Sequence, residues 1–338
     1  MWNRRKKTKD QPETQLPPPA EPVETLDEGK PLAGPLLLSE VTLPTPTLKP
    51  KTDPNPGERG GPMPQPDPPE GEETPMPRTQ AICLANFKGG VGKSMTCVNL
   101  SAGLAALGHR VLLVDCDPQA NSSEMFLHED EIEFDLRSII ADRVPTDKVI
   151  QRTRIAGLDV LPASFDLVYL DKELVVSPNG IHRIEKALRP VDGEYDYIVY
   201  DTGPNLSHLT LGALVASDHI LIPVSAAVWS TAGLRKFMRW IDLNQEEEVI
   251  TATLLGLVPT RVRLNTRIGQ ALIEQLKTGE LPAFTTYIPE RIGAEDAAFE
   301  RAVLGEKGAD PTISDAYSAL TKEITARIFE RQGGKHAL

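Results

Sequence analysis

The chain has 338 residues, a formal net charge of −12, 30 prolines and three cysteines. This length accommodates one large domain or two small ones. An acidic protein is a poor general binder of polyanions, so any nucleic acid has to bind at a local basic patch. The cysteines lack C-x-x-C spacing, which argues against a thiolate metal site and favours small buried residues in a reducing compartment. They are Cys83, Cys97 and Cys116.

The first 79 residues differ in composition from the rest of the chain. They contain 19 of the 30 prolines, and their charge is −3 (10 Lys and Arg against 13 Asp and Glu), which leaves −9 for the remainder. Such a segment cannot bury enough apolar surface to offset the entropy of ordering it. We therefore expect 1–79 to be a disordered, Pro-rich tail, 80–332 to form one domain, and 333–338 to be a flexible C-terminus.

Strands and helices alternate from residue 80 onward. The predicted strands are 81–85, 110–115, 158–161, 196–201, 218–224 and 252–258. The predicted helices are 94–107, about 230–246, about 267–277 and 312–331, with 134–188 mostly helical around its one short strand. This alternation predicts an α/β fold with a doubly wound, mostly parallel sheet and helices on both faces.

A glycine-rich loop at 87–94, with the sequence FKGGVGKS, separates the first predicted strand from the first predicted helix. Its three glycines allow backbone N–H groups to approach phosphate oxygens, and the positive end of the helix dipole points at the same charge. Lys93 would reach the β- and γ-phosphates, and Ser94 would bind Mg²⁺. The ordinary P-loop pattern has a glycine where this chain has Phe87, and Lys88 is an additional lysine.

Acidic side chains end two other predicted strands. Asp115 and Asp117 occur in the sequence DCDPQAN, and Asp201 ends the strand 196–201. Ligands of doubly wound sheets bind at the carboxyl ends of the strands, so the loop and these acids are expected to form one site. A carboxylate there can orient a water against the γ-phosphate, or lie in the outer shell of Mg²⁺. A turn before proline and a helix cap are the structural alternatives.

The KGGVGKS segment resembles the deviant Walker A motif of the ParA/MinD family of ATPases, and DCDPQAN resembles the D-x-D-P-Q-[GA]-N switch of ParA-type proteins. The segments 213–234 and 288–292 resemble the family's stretch after its second switch and its I-P-R-N-V stretch near the adenine. The resemblance covers about 80–330. It implies a P-loop NTPase fold, binding of ATP and Mg²⁺, homodimerisation on ATP binding, and slow hydrolysis stimulated by a ParB-like or equivalent activator.

The resemblance also implies a role for each motif residue. Lys88 would reach across the dimer to the partner's nucleotide, Asp117 would be the hydrolysis residue, and Lys93 completes the expected catalytic set. The expected metal-site residues are Ser94, Asp115 and Asp201, the last acting through water. The expected nucleotide-binding residues are Lys88, Gly89, Gly90, Val91, Gly92, Lys93, Ser94, Met95, Pro289 and Arg291.

Three positions depart from the family pattern. Met95 replaces the threonine usual after the Mg²⁺ ligand, and Gly293 replaces the second arginine of the family's I-P-R-N-V-R run. Phe87, together with the DPQAN switch, favours ParA over MinD, which usually has a glycine at the first position of the loop.

The family likeness implies an ATP-dependent switch that binds DNA non-specifically and segregates or positions a plasmid, a chromosome or another cargo, in the cytoplasm and on the nucleoid. Contacts with DNA would be electrostatic and would use the densest basic region of this acidic domain. For each residue a solvated charged face is the alternative. The candidate contacts are Arg235, Lys236, Arg239, Arg261, Arg263, Arg267 and Arg291.

Two other classes of function remain open from the sequence. A membrane-associated or protein-cargo positioning ATPase of the MinD kind requires a terminal amphipathic anchor, and the 328–335 segment is short, with Glu330 interrupting its basic face. A metabolic P-loop kinase would need a substrate lid, for which we find no signature. No apolar run reaches about 18 residues, so we expect no stable membrane insertion.

Overall fold

The computed structural model describes residues 78–226, 231–290 and 303–333. Within these ranges the strands are β1 (Gln80–Leu84), β2 (Val111–Cys116), β3 (Gln151–Arg152), β4 (Leu158–Leu161), β5 (Tyr197–Thr202), β6 (His219–Ser225) and β7 (Thr253–Thr260). The helices are α1 (Lys93–Ala106), α2 (Asn121–Glu124), α3 (Leu136–Ile140), α4 (Thr146–Val149), α5 (Leu167–Val176), α6 (Arg183–Leu188), α7 (His208–Val215), α8 (Thr231–Glu246), α9 (Arg267–Thr278) and α10 (Pro311–Arg331).

The seven strands form one sheet in the order β3-β4-β2-β5-β1-β6-β7. All neighbouring pairs are parallel except β3 with β4. Strand β5 lies between β1 and β2, and its Asp201 is in register with Leu84 on one side and Asp115 on the other. The carboxyl ends of the three strands therefore meet at one edge, and the predicted doubly wound, mostly parallel sheet is confirmed.

Helices cover both faces of the sheet. Helices α1 and α10 share one core cluster, while α3 to α9 contribute to a second cluster on the opposite face. Strand β2 is buried along its whole length, as expected for a strand covered on both sides. The three cysteines are free and buried, as predicted. The last helix buries five residues at helical spacing against the sheet: Ile313, Tyr317, Leu320, Ile324 and Ile328.

Several elements differ from the sequence prediction. The two-residue strand β3 and the one-turn helix α2 were not predicted, because segments this short carry no periodicity. Helix α10 begins one residue earlier than expected, because Asp310 Oδ1 accepts hydrogen bonds from the N–H groups of Thr312 and Ile313 at 2.8 and 3.1 Å. In the part of the chain that is described, no helix is long and apolar enough to cross a membrane.

The predicted tail and C-terminus are not tested by the structure. Residues 1–77 and 334–338 lie outside the described ranges, so the disordered Pro-rich tail and the flexible end stay predictions.

The contact between α1 and α10 gives a test of the fold. A Cβ atom at Gly103 would overlap Oγ1 of Thr321 and lie 3.2 Å from its Cβ. In an exposed helix, glycine to alanine gains about 1 kcal/mol. Here we expect Gly103→Ala to lower the free energy of unfolding by about 1–3 kcal/mol through overpacking, measured by urea denaturation.

The double variant Gly103→Ala/Thr321→Ala is the control, since it removes the hydroxyl that the new methyl meets. Its free energy of unfolding should be higher than the value expected from adding the effects of the two single changes. A stabilised Gly103→Ala protein would mean that the two helices do not approach as closely as described.

Candidate nucleotide-binding site

The glycine loop connects β1 to α1 and depends on left-handed backbone at two positions. Gly90 has φ +71° and Gly92 has φ +82°, where a side chain would strain the backbone. Gly92 directly precedes α1, and its carbonyl accepts the hydrogen bond from Thr96 N–H at 3.0 Å. The loop therefore leads into the helix N-terminus, as the phosphate-binding prediction requires.

Two side chains outside the predicted site hold the loop in place. The Asn86 amide donates to the Pro223 carbonyl at 2.8 Å and accepts from the Lys88 N–H at 3.0 Å. Buried Thr260 donates through Oγ1 to the Val91 carbonyl at 2.7 Å. The ends of β6 and β7 thus anchor the two halves of the loop. Sequence reasoning missed both residues, although each is polar and lies at the carboxyl end of a strand.

The side chain of Lys93 lies beneath the loop and is only 7% exposed. Its Nζ donates to the Asn86 and Lys88 carbonyls at 3.2 and 3.3 Å. Burial lowers the pKa of Lys93, while the nearby carboxylates of Asp201 and Asp117 act in the opposite direction. A cation held mainly by neutral carbonyls in a cleft is well placed to meet an anionic ligand.

Asp201 has the least satisfied carboxylate of the site. It is fully buried, Oδ2 accepts from the Ser122 hydroxyl at 2.5 Å, and Oδ1 has no hydrogen-bond partner. Burial raises the pKa of Asp201, and the hydroxyls of Ser122 and Ser94 lower it. The unpartnered Oδ1 of Asp201 and the nearby hydroxyl of Ser94 are oxygen ligands of the kind that a hard cation binds. Ser94 and Asp201 therefore fit the predicted Mg²⁺ site.

Asp115 differs, because both of its oxygens are engaged. Oδ1 accepts from the Asp117 N–H at 3.0 Å, and Oδ2 accepts from the N–H and hydroxyl of Ser123 at 2.9 and 2.7 Å. Burial, followed by the charge of Asp201, raises the pKa of Asp115 to about 8. Asp115 thereby fixes the segment that carries Asp117, and its contribution to the metal site stays a prediction.

Asp117 belongs to the DCDPQAN segment, which resembles the family's switch and follows β2. It is 7% exposed, and its Oδ1 accepts from the Gln119 N–H at 3.0 Å. A Cβ atom at Gly203 would lie 3.3 Å from this oxygen, so the chain that follows β5 passes directly beside the carboxylate. The structure therefore brings the residues that follow β2 and β5 together beside the loop.

These elements enclose a cleft of about 600 Å³, which is within the usual range for a small-molecule site. It is lined by Gly89, Gly90, Gly92, Lys93, Ser94, Met95, Asp117, Gln119, Asn121, Glu124, Met125, Pro204 and Arg261. Met95 lines it as predicted, whereas Pro289 is not in this set and instead forms a β-bridge with Val262. Arg291, predicted to bind nucleotide and DNA, lies outside the described residues.

Arg261 was predicted only as a DNA contact, and the structure places it at the cleft wall. Its Nη1 donates to the Gly90 carbonyl at 3.4 Å, and its Nη2 pairs with Glu290 Oε1 at 3.1 Å. The other oxygen of Glu290 pairs with Nε of Arg263 at 2.6 Å. Arg261 also has φ +51°, an unusual value for a residue with a side chain. No sequence motif marked this position as part of the nucleotide cleft.

The other candidate DNA contacts lie on two helices that pack on the same core cluster. Arg235, Lys236 and Arg239 are exposed on α8, and exposed Arg267 is the first residue of α9. Phe237 of α8 and Leu272 of α9 are buried in the shared cluster. The structure thus groups these residues on helices of one face and leaves their contact with DNA as a prediction.

The buried acid pair predicts an unusual pH dependence of stability. Because burial raises the pKa of Asp115 and Asp201, the folded chain holds protons that the unfolded chain releases, and stability without nucleotide or Mg²⁺ falls as pH rises toward about 8. Asp201→Asn removes one of the two like charges. We expect a higher melting temperature at alkaline pH, by roughly 2–4 °C per kcal/mol recovered, and a flatter pH profile.

Asp196→Asn is the matched control, because Arg110 hydrogen bonds lower the pKa of Asp196 and its loss should destabilise the chain. Parallel melting curves for the two variants between about pH 6 and pH 9 would contradict the described burial of the acid pair.

Comparison with known proteins agrees with this geometry. A model of the AAA domain family matches residues 79–254, more than half of the chain. The sporulation initiation inhibitor protein Soj of Bacillus subtilis is 33% identical over 247 residues, covering 72% of this chain and 98% of Soj. The chromosome partitioning protein ParA of Myxococcus xanthus is 36% identical over 197 residues, covering 58% of this chain and 70% of ParA.

A solved structure has the same fold with ligands in place. The crystal structure of cobyrinic acid a,c-diamide synthase from Mycobacterium smegmatis with bound ATP analog and magnesium superposes with a TM-score of 0.64 at 27% identity. The match covers 76% of this chain and 97% of that structure. Together with the loop, the acids at the strand ends and the sheet order, these similarities show that the chain belongs to the ParA/Soj family of P-loop ATPases.

Proposed function

We propose that the chain is a partition switch: it binds ATP and Mg²⁺, dimerises, is retained on DNA in that state, and is released by slow hydrolysis. The observation that carries this proposal is the buried Lys93 at the cleft wall, close to the buried carboxylate of Asp201, whose Oδ1 has no hydrogen-bond partner. A buried cation and a buried, unsatisfied carboxylate oxygen are complementary to a phosphate chain and its divalent cation, respectively.

Residues of the loop and of β5 hold the nucleotide in this proposal. Loop residues Lys88 to Met95 surround the phosphates, and Lys93 exchanges its carbonyl partners for phosphate oxygens. Ser94 would bind Mg²⁺, and Asp201 would support it through water. When bound, Mg²⁺ supplies the positive charge that offsets the phosphates and the two buried acids. The similar structure that contains an ATP analog and magnesium supports the assignment of ATP as the substrate.

Asp117 orients the attacking water in the proposed hydrolysis. Its carboxylate is held by the Gln119 N–H, and Asp115 fixes its backbone. Lys88 reaches the nucleotide of the partner subunit, so that a complete site forms only in the dimer. Slow hydrolysis then sets how long the dimer stays on DNA, and a ParB-like or equivalent activator shortens that time.

DNA is bound without sequence preference by the exposed basic residues of α8 and α9, where positive charge is concentrated in an acidic protein. The relative from Myxococcus xanthus is named a chromosome partitioning protein, which supports a plasmid, chromosome or comparable cargo and association with the nucleoid. Retention on a membrane or on a protein surface is the competing outcome of the tests below.

The nucleotide dependence of DNA retention tests the switch. We expect retention of the full chain on non-specific duplex DNA with ATP·Mg²⁺, and none with ADP or without nucleotide. Lys88→Ala should abolish retention because the dimer site is incomplete. Asp117→Ala should prolong it, because loss of water orientation slows hydrolysis by about a hundredfold or more. Surface-immobilised DNA and a phosphate-release assay measure the two effects.

Retention that is equal in all nucleotide states would contradict the switch. If DNA is never retained, sedimentation with anionic liposomes and ATP distinguishes a membrane-cycling ATPase from the partition role.

Charge reversal tests the surface that binds DNA. We expect Arg235→Glu/Lys236→Glu to abolish ATP-dependent DNA retention at moderate salt while the Kd for ATP is unchanged. The physical reason is that each contact between a basic side chain and a DNA phosphate strengthens binding electrostatically. Each such contact adds about 0.9 to the steepness with which the logarithm of the affinity falls as the logarithm of the salt concentration rises. The matched control is Lys186→Glu/Arg189→Glu, which makes the same charge change at two exposed residues at the C-terminal end of α6. Equal retention by the two double variants would mean that α8 is not part of the surface that binds DNA.

A further inference from the structure

Phe87 does not line the cleft but packs on α8. Its ring lies 4.3 Å from the ring of Phe237 and 5.6 Å from that of Trp240, between centroids, with interplanar angles of 63° and 68°. Phe237 and Trp240 are themselves stacked at 6.2 Å and 13°. Edge-to-face contacts of this kind are favourable and directional. We call these three residues the aromatic cluster.

The aromatic cluster is one peptide bond away from Lys88. On the other side, the Asn86 side chain holds the Lys88 N–H, and the Lys88 carbonyl accepts from Lys93 Nζ. The first half of the loop therefore has two anchors, the end of β6 through Asn86 and helix α8 through Phe87. Any displacement of α8 relative to the sheet moves the backbone that carries Lys88.

The same helix carries the proposed DNA contacts. Phe237 is 2% exposed, whereas its neighbours Lys236 and Arg239 are exposed, as helical periodicity requires for residues on opposite faces. One face of α8 thus touches the phosphate loop, and the other presents basic side chains to solvent. The C-terminal end of α8 is tied to the sheet, since Gln245 donates to the Ala252 carbonyl at 2.6 Å.

We propose that the aromatic cluster makes Phe87 a positioning residue for Lys88 and couples the phosphate loop to the basic face of α8. The proposal rests on the proposed function for the ligand of that face, DNA. Nucleotide binding that shifts the loop then changes the DNA affinity of α8. By thermodynamic linkage, DNA on α8 changes the affinity for ATP by the same factor, typically about 5–150-fold. A purely structural cluster would contribute to stability without any such coupling.

Fluorescence of Trp240 tests the connection between loop and helix. The chain has three tryptophans, so Trp2→Phe/Trp229→Phe leaves Trp240 as the single reporter. We expect its emission to change on addition of ATP·Mg²⁺ and to change less with ADP. Phe87→Leu should abolish this change, whereas Phe87→Tyr, which retains a ring, should preserve it. Circular dichroism and melting curves show that each variant is folded.

The DNA dependence of ATP affinity tests the coupling itself. For the full chain we expect non-specific duplex DNA to tighten the Kd for a fluorescent ATP analogue by about tenfold, and Phe87→Leu and Trp240→Leu to reduce this factor toward one. Without DNA, the Kd of Trp240→Leu, a change outside the loop and the cleft, should stay within about threefold of that of the unmodified chain. Leu243→Ala is the control, because Leu243 is 48% exposed on the same helix, outside the aromatic cluster.

The two proposals fail in different ways. An unresponsive Trp240, or full coupling in Phe87→Leu, overturns the role of the aromatic cluster even if the protein binds DNA. A Trp240 signal that depends on ATP and on Phe87, in a protein that never binds DNA, supports the connection between loop and helix and overturns the DNA assignment.

Discussion

The site depends on the cost of holding charge inside the protein. Lys93, Asp115 and Asp201 are all buried at one edge of the sheet, where an unpaired charge is expensive. The chain offsets this cost unevenly: Lys93 has two carbonyls, Asp115 has three hydrogen bonds, and Asp201 has one oxygen without a partner. The unpartnered oxygen of Asp201 and the buried Lys93 are therefore the features of this edge that suit a cation and an anionic chain.

Sheet order determines which charges meet. Strand β5 enters the sheet between β1 and β2, so Asp201 lies beside Asp115 although a long helical segment separates them in the chain. The register is decisive, since a slip of one residue would turn the side chain of Asp201 to the other face of the sheet. Burial on both faces excludes such a slip, because it would place the apolar residues of β5 in the wrong layer.

Much of the fold could be predicted because its signals are local. Continuous apolar strands, the period of α10 and the motifs that end β1, β2 and β5 each lie within a few residues. Thr260 and Arg261 could not be assigned to the cleft, since their contacts with the loop join residues 169 and 171 positions apart in the chain. Nor does any local pattern show that Phe87 packs on α8 rather than facing the nucleotide. Such contacts are set by tertiary packing.

Glu290 has a consequence for how variants of this protein are interpreted. It is the shared counter-ion of Arg261, at the cleft wall, and of Arg263, which is 62% exposed at its side chain. Neutralising Glu290 would remove the carboxylate with which both guanidinium groups pair, one at the cleft wall and one at the exposed surface. A single substitution there would therefore change the charge balance of the cleft wall and of the surface together. Separating the two effects genetically requires changes at the arginines rather than at the acid.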